Sequence, residues 1–247
     1  MKSETMTVHT VESADRTTIA YDTIGRGPAL VLVGGAFSYR KFPGNIELAN
    51  LLGQHFTVFC YDRRGRGDSG DTAPYAVARE LEDLDAVLRA AGGSACVFGM
   101  SSGAALAALA AANGSRITRL ALYEPPYMVG EVGHRPPPDH DARLRAILAQ
   151  GRRGAAVSFF LTEVMGAPWF LPMIMRVTPF WSKLKAVAHT LPYETAVLGG
   201  DFAFPTRTIE SIRVPALILA GESEVKRSAD LRAFLSGTQQ TNVVATR

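Results

Sequence analysis

Gly99-Met100-Ser101-Ser102-Gly103 sets a serine between two glycines in a G-x-S-x-G pattern, and the flanking residues decide what that pattern means. Ser94-Ala95-Cys96-Val97-Phe98, before it, reads as a buried strand. Ala104 to Ala110, after it, reads as a helix. A chain that passes from strand to helix in so few residues must turn sharply, and glycines on both sides remove Cβ atoms that would obstruct the turn. Such a turn presents the serine hydroxyl at the carboxyl edge of a sheet, where a nucleophile can reach a substrate. A turn serine without chemistry is the competing reading, and the strand and helix on either side disfavour it. Ser101 is the candidate nucleophile.

The rest of the chain fits a sheet of that kind. Thr7 to Glu12 and Thr17 to Tyr21, around Ala14-Asp15-Arg16, predict an opening antiparallel hairpin. Ala29 to Val33 is a continuous apolar run ending in Gly34-Gly35, as in a parallel strand covered on both faces. Phe56 to Tyr61 is another. Ala78 to Ala91 has helical periodicity, with Leu81, Leu84 and Leu88 on one face and Gly92-Gly93 as a stop. Leu120 to Tyr123 predicts the next strand. Strands alternating with helices define an α/β architecture: a mostly parallel, doubly wound sheet flanked by helices.

From about Tyr127 the pattern changes. Pro136-Pro137-Pro138 is a rigid connector, and Arg143 to Arg152 predicts a helix. An aromatic and methionine-rich stretch follows, from Phe159 to Trp181. The alternation resumes at Val214 to Gly221, with a helix expected over Ser228 to Leu235, a stop at Gly237 and a last short strand over Asn242 to Ala245. The division expected is a core of residues 1–126 and 209–247 with a mostly helical cap, 127–208, inserted in it.

Composition closes off several functions. The 247 residues are 47% hydrophobic and 20% charged, enough to bury a substantial core. Net charge is +3, and the densest basic cluster, Arg63-Arg64-Gly65-Arg66, reads as a tight turn leaving a strand; no nucleic-acid partner is expected. Met1 to Met6 lacks an apolar leader. The longest apolar stretch, 159–181, is broken by Glu163, Arg176, Pro168, Pro172 and Pro179, so no membrane span and a cytoplasmic location are expected. Cys60 and Cys96 fall inside strands as small core residues. Neither a phosphate loop, a dinucleotide fingerprint nor a metal-spaced His/Cys cluster is present, so neither cofactor nor metal is expected.

Taken in order, Leu30 to Gly35, Tyr61 to Ser69, Gly99 to Gly103 and Val214 to Gly221 resemble the α/β-hydrolase family over residues 7–245. The resemblance makes Ser101 the nucleophile. It makes the backbone N–H groups of Ser102 and Ala36 the oxyanion hole, with Gly34-Gly35 where the family often has His-Gly. Gly35, Phe37, Met100 and Trp169 would then line a small apolar acyl substrate. Glu224, in Gly221-Glu222-Ser223-Glu224, takes the acid position, with Glu124 in Tyr123-Glu124-Pro125-Pro126 as second candidate.

The base departs from the family pattern. Its loop would lie roughly 25–30 residues beyond Glu224 by typical element lengths, and the sequence reaches Arg247 without a histidine there. His9 and His55 lie in or before early strands, and His134 and His140 flank the proline run as solvated residues. His189, in the helical insertion, is the remaining candidate.

The resemblance implies a serine hydrolase acting on a small carboxylic ester, thioester or lactone through an acyl-enzyme. The alternative is a non-catalytic relative that binds a small apolar ligand, or a partner at an exposed sheet edge, where a second copy of the chain could form a homodimer. Perhydrolase and lyase relatives also need the histidine. Epoxide hydrolases and dehalogenases need a carboxylate at position 101 and are excluded.

Overall fold

The computed structural model describes residues 8–128, 134–221 and 241–246. Among the described residues, eight strands form one sheet: β1 (His9–Glu12), β2 (Thr18–Ile24), β3 (Ala29–Val33), β4 (Thr57–Tyr61), β5 (Ala95–Met100), β6 (Ile117–Tyr123), β7 (Ala216–Gly221) and β8 (Thr241–Thr246). Their order is β1-β2-β4-β3-β5-β6-β7-β8. β1 and β2 pair as the expected hairpin, β2 runs antiparallel to β4, and every pairing from β4 to β8 is parallel. β8 lies at one end of the sheet.

This order places a switch point between β3 and β5. The chain leaves β3 toward β4 on one side and reaches β5 on the other, so the loops after β3 and β5 diverge and open a crevice at the carboxyl ends. Val33 pairs with Gly99 there, which puts Gly34-Gly35 beside the Ser101 turn.

Helices cover the two faces. α1 (Pro43–Leu52), which the sequence reading missed, opens on Pro43 in its first turn, where a missing N–H costs nothing. Its Ala49 joins Leu30, Leu32, Val58 and Cys60 in the smaller core. The larger core lies on the opposite face, against α2 (Val77–Ala90) and α3 (Ser102–Ala112). α3 is alanine-rich and buried on nearly all sides, as a helix apolar all round must be. α2 is amphipathic, yet its buried face carries Glu80 and Asp83 beside Leu84, Val87 and Leu88. β5 alternates: Ala95, Val97 and Gly99 are buried, while Cys96, Phe98 and Met100 are half-buried. Cys96 is thus less enclosed than a doubly covered strand would make it. Cys60 is buried, its thiol pushed up to about 12 by loss of solvent.

Between β6 and β7 the chain is helical. α4 (His140–Ala149) begins three residues earlier than the sequence periodicity placed it, and α5 (Arg153–Phe159) continues into a π turn over Phe160–Val164. Then come α6 (Leu171–Met175), α7 (Phe180–Ala186), α8 (Leu191–Leu198) and α9 (Thr206–Ser211). The two ends of this segment meet, Met128 bridging Ala203 and the Tyr127 ring meeting Phe204 edge-on. No helix among the described residues is long and apolar enough to cross a membrane. The helix expected over Ser228 to Leu235 and its stop at Gly237 lie outside the described residues.

Candidate active site

Ser101 stands between β5 and α3 with φ 53° and ψ −127°, a conformation L-residues rarely adopt. Such strain costs of order 1–3 kcal/mol and persists where the surroundings over-determine it. They do so here. Ser101 N donates to Tyr123 O on β6 at 2.8 Å, and Ala104 N donates to Ser101 O at 2.8 Å, pinning the residue between sheet and helix. A Cβ on Gly99 would lie 2.6 Å from Ala104 Cα, and one on Gly103 would lie 2.4 Å from Val33 O. Both glycines of the motif are fixed by backbone approach.

The loop after β3 closes on the serine. A Cβ on Gly35 would stand 2.9 Å from Ser101 Cβ and 3.5 Å from Ser101 Oγ. The next peptide carries Ala36 N–H, and Ser102 N–H lies in the first turn of α3. Neither donates a hydrogen bond to any described residue, so both are free for a ligand oxygen. Among the sequence candidates, the fold brings Gly35, Ala36, Ser101 and Ser102 together.

The other candidates have these surroundings. Phe37, at φ 62°, is buried and meets Phe160 of the helical segment edge-on at 5.6 Å. Met100 packs into the smaller core with the residues around Leu30 and Ala49. Trp169 is 74% exposed, and its ring touches Phe170. Glu224 lies outside the described residues. Glu124 is half-buried at the end of β6, at φ 46°, its N–H held by Leu219 O at 2.9 Å.

None of the described histidines is hydrogen-bonded to the serine. His189 Nε2 is 3.7 Å from Asp71 Oδ2; burial, then the nearby Arg153 charge, lowers its pKa below the usual imidazole value. His140, expected in solvent, is fully buried, with Nδ1 against Pro137 O at 2.8 Å and its ring against Phe202. It opens α4 with its side chain turned inward, a placement that the neighbouring prolines do not signal. His134 is exposed and contacts Glu163 O. Among the described residues Ser101 Oγ has no hydrogen-bond partner.

Sequence reasoning passed over the charges beneath the site. The turn leaving β4, with Gly65 at φ 75° and Gly67 at φ 54°, sends Arg63, Arg64 and Arg66 into the protein, each no more than 2% exposed. Arg64 forms a fork with Asp83 through Nε and Nη2, both at 2.7 Å, and reaches Asp15 at 3.0 Å. Arg63 forms the same fork with Glu80, at 2.6 and 2.7 Å. Arg63 Nη1 also donates to Gly34 O at 3.3 Å and to Glu194 Oε2 at 3.0 Å. Arg66 donates to Gly35 O at 2.7 Å, Ser38 O at 3.2 Å and Thr190 Oγ1 at 3.1 Å, and pairs with Glu194 Oε1. Glu194, on α8 and fully buried, also accepts the Ser102 hydroxyl.

Burial alone would lower the Arg63 pKa, but the Glu80 carboxylate holds it above the ordinary arginine value. Burial would likewise raise Glu80, and Arg63 outweighs it in the downward direction. Burial and the like charge of Arg63 pull Arg66 down to about 9. It stays a cation at neutral pH, and the Glu194 carboxylate lies against it. The available signal was Glu80 and Asp83, two acids three residues apart on the apolar face of a helix, in a chain whose basic cluster leaves a neighbouring strand.

A cleft of about 660 Å³ on the helical segment is lined by Arg152, Arg153, Trp181 and Lys185, and none of its lining residues belongs to the Ser101 site.

The sequence model of the alpha/beta hydrolase family matches residues 30–244. An alpha/beta hydrolase from Sphaerobacter thermophilus is 50% identical in sequence; the match covers 97% of this chain and 92% of that one, with a TM-score of 0.88. The chain belongs to the α/β hydrolase family, and that membership supports a hydrolase in general. An enol-lactonase from Burkholderia xenovorans (21% identity, 96% and 91% of the two chains, TM-score 0.69) and an esterase from a Rhodococcus species (19%, 97% and 90%, TM-score 0.62) share the fold.

Proposed function

We propose that the protein is a serine hydrolase of small carboxylic esters, thioesters or lactones, with Ser101 attacking the carbonyl to give an acyl-enzyme that water releases. The observation that carries this reading is the strained turn at Ser101, with two free backbone donors, Ala36 N–H and Ser102 N–H, on the loops beside it. Donors held in place where an oxyanion develops stabilise the transition state, and removing one costs about 10²–10³ in kcat in a serine protease. The esterase and enol-lactonase that share the fold support the substrate class by analogy only. Residues 127–208 act as the cap over the site, joined to the core through Phe37–Phe160 and Glu194. Glu224 is the acid, with Glu124 as the alternative at the end of the strand that anchors Ser101 N.

A fluorophosphonate probe tests the proposal, because it reacts with an activated serine and leaves an ordinary one alone. The expected result is an adduct on Ser101, absent in Ser101→Ala. The absence of an adduct on a cooperatively melting wild-type chain would overturn the acyl-enzyme reading in favour of ligand binding without catalysis.

A further inference from the structure

We infer that Glu194 is a positioning residue that sets both oxyanion donors at once and so ties the helical segment to the chemistry at Ser101. The inference rests on the proposed role of Ala36 and Ser102, and it goes beyond it in naming what orients them. A peptide unit is planar and trans, so its carbonyl and the following N–H point in opposite directions. Arg66 Nη1 donates to Gly35 O at 2.7 Å and Ser38 N–H donates to it at 3.2 Å, and together they fix the plane whose other end is Ala36 N–H. Arg63 Nη1 holds the preceding carbonyl, Gly34 O, at 3.3 Å. The second donor belongs to Ser102, whose hydroxyl is bound by Glu194.

Glu194 is the common partner. One oxygen pairs with Arg66; the other takes Arg63 Nη1 at 3.0 Å and the Ser102 hydroxyl. The carboxylate is wholly buried, and these contacts are what replaces its lost hydration. The residue lies on α8, more than ninety positions from Ser102 along the chain, beside Thr190, which also binds Arg66. When α8 sits on the core, the Gly35–Ala36 peptide and the first turn of α3 are held in one geometry. Displacing α8 removes Glu194 from all three partners.

The test compares wild type with Glu194→Gln, Glu194→Asp, Arg66→Lys and Ser102→Ala as full chains. Hydrolysis of p-nitrophenyl acetate is measured beside amide ¹H–¹⁵N spectra and thermal melts. Glu194→Gln would turn an amide donor toward Arg66 or the Ser102 hydroxyl, so kcat is expected to fall about 10–100-fold with KM changed by less than about threefold, the signature of misaimed rather than missing donors. In the spectra, the Ala36 and Ser102 amide resonances should both move in Glu194→Gln, while Gly200 stays in place. No hydrogen bond joins Ala36 to residue 194, so its shift requires transmission through Arg66 at Gly35 O or Arg63 at Gly34 O.

The spectra report whether or not the serine is active, so failure of the acyl-enzyme reading is distinguishable from failure of this one. If Glu194→Gln does not fold, Glu194→Asp and Ser102→Ala carry the test, since the first keeps the carboxylate and the second leaves the Arg63 and Arg66 pairs with Glu194 in place. An unmoved Ala36 resonance, or an unchanged kcat in folded variants of an active enzyme, would overturn the inference and leave Glu194 as a stability element alone.

Discussion

Replacing Gly103 by alanine should damage fold and site together. The added Cβ would lie 2.4 Å from Val33 O and 2.6 Å from Gly34 O, both backbone atoms. Carbon and oxygen rest at about 3.4 Å, so α3 and the end of β3 must separate by about 1 Å. No side chain can rotate away to relieve this. Overpacking of this kind costs ~1–3 kcal/mol, and each kcal/mol lowers the melting temperature of a chain this size by about 2–4 °C, so about 4–8 °C is expected for a middle value. The moved atoms belong to the peptide that leads into Gly35 and Ala36. A misplacement of about 1 Å near the reacting atoms costs about 10²-fold in rate. Calorimetry and the rate of fluorophosphonate labelling read the two effects, with Gly200→Ala as control, since nothing lies within 4 Å of a Cβ there. A Gly103→Ala protein that melts and labels as the wild type does would refute the argument that backbone approach fixes this position.

Ser101→Gly should raise stability while abolishing labelling, because glycine accepts φ 53° without a Cβ penalty; the gain expected is about 1 kcal/mol, read as a higher midpoint in urea. Acid should reveal the Asp15–Arg64 pair. Burial alone would raise the Asp15 pKa, but hydrogen bonds from Thr17 and Arg64 outweigh it and hold the group down to about 2. A depressed pKa stabilises the fold above the ordinary carboxylate pKa, and that contribution fades as pH falls from about 4 to about 2. Melting curves of wild type and Asp15→Asn should therefore differ at pH 6 and converge near pH 2.

The Ser101 turn was legible because its causes are local. Two glycines, a strand before them and an alanine-rich helix after them specify a sharp bend, and the apolar runs at Ala29, Phe56 and Val214 specify parallel strands. His140 was misjudged because a histidine beside prolines carries no sign of which way its helix will face. The arginines show the same limit in stronger form. Arg63 and Arg66 reach Glu194 across 131 and 128 residues of sequence. Charged residues lie in solvent unless partners surround them, and no local pattern announces a partner that distant.

The sequence by itself determined where Ser101 stands and the sheet that presents it, since both follow from backbone conformation and hydrophobic periodicity within short windows. The tertiary structure alone decided what stands beneath the site: four charges, Arg63, Arg66, Glu80 and Glu194, balanced in the interior. Only folding brings their elements close enough for each charge to replace the other's water.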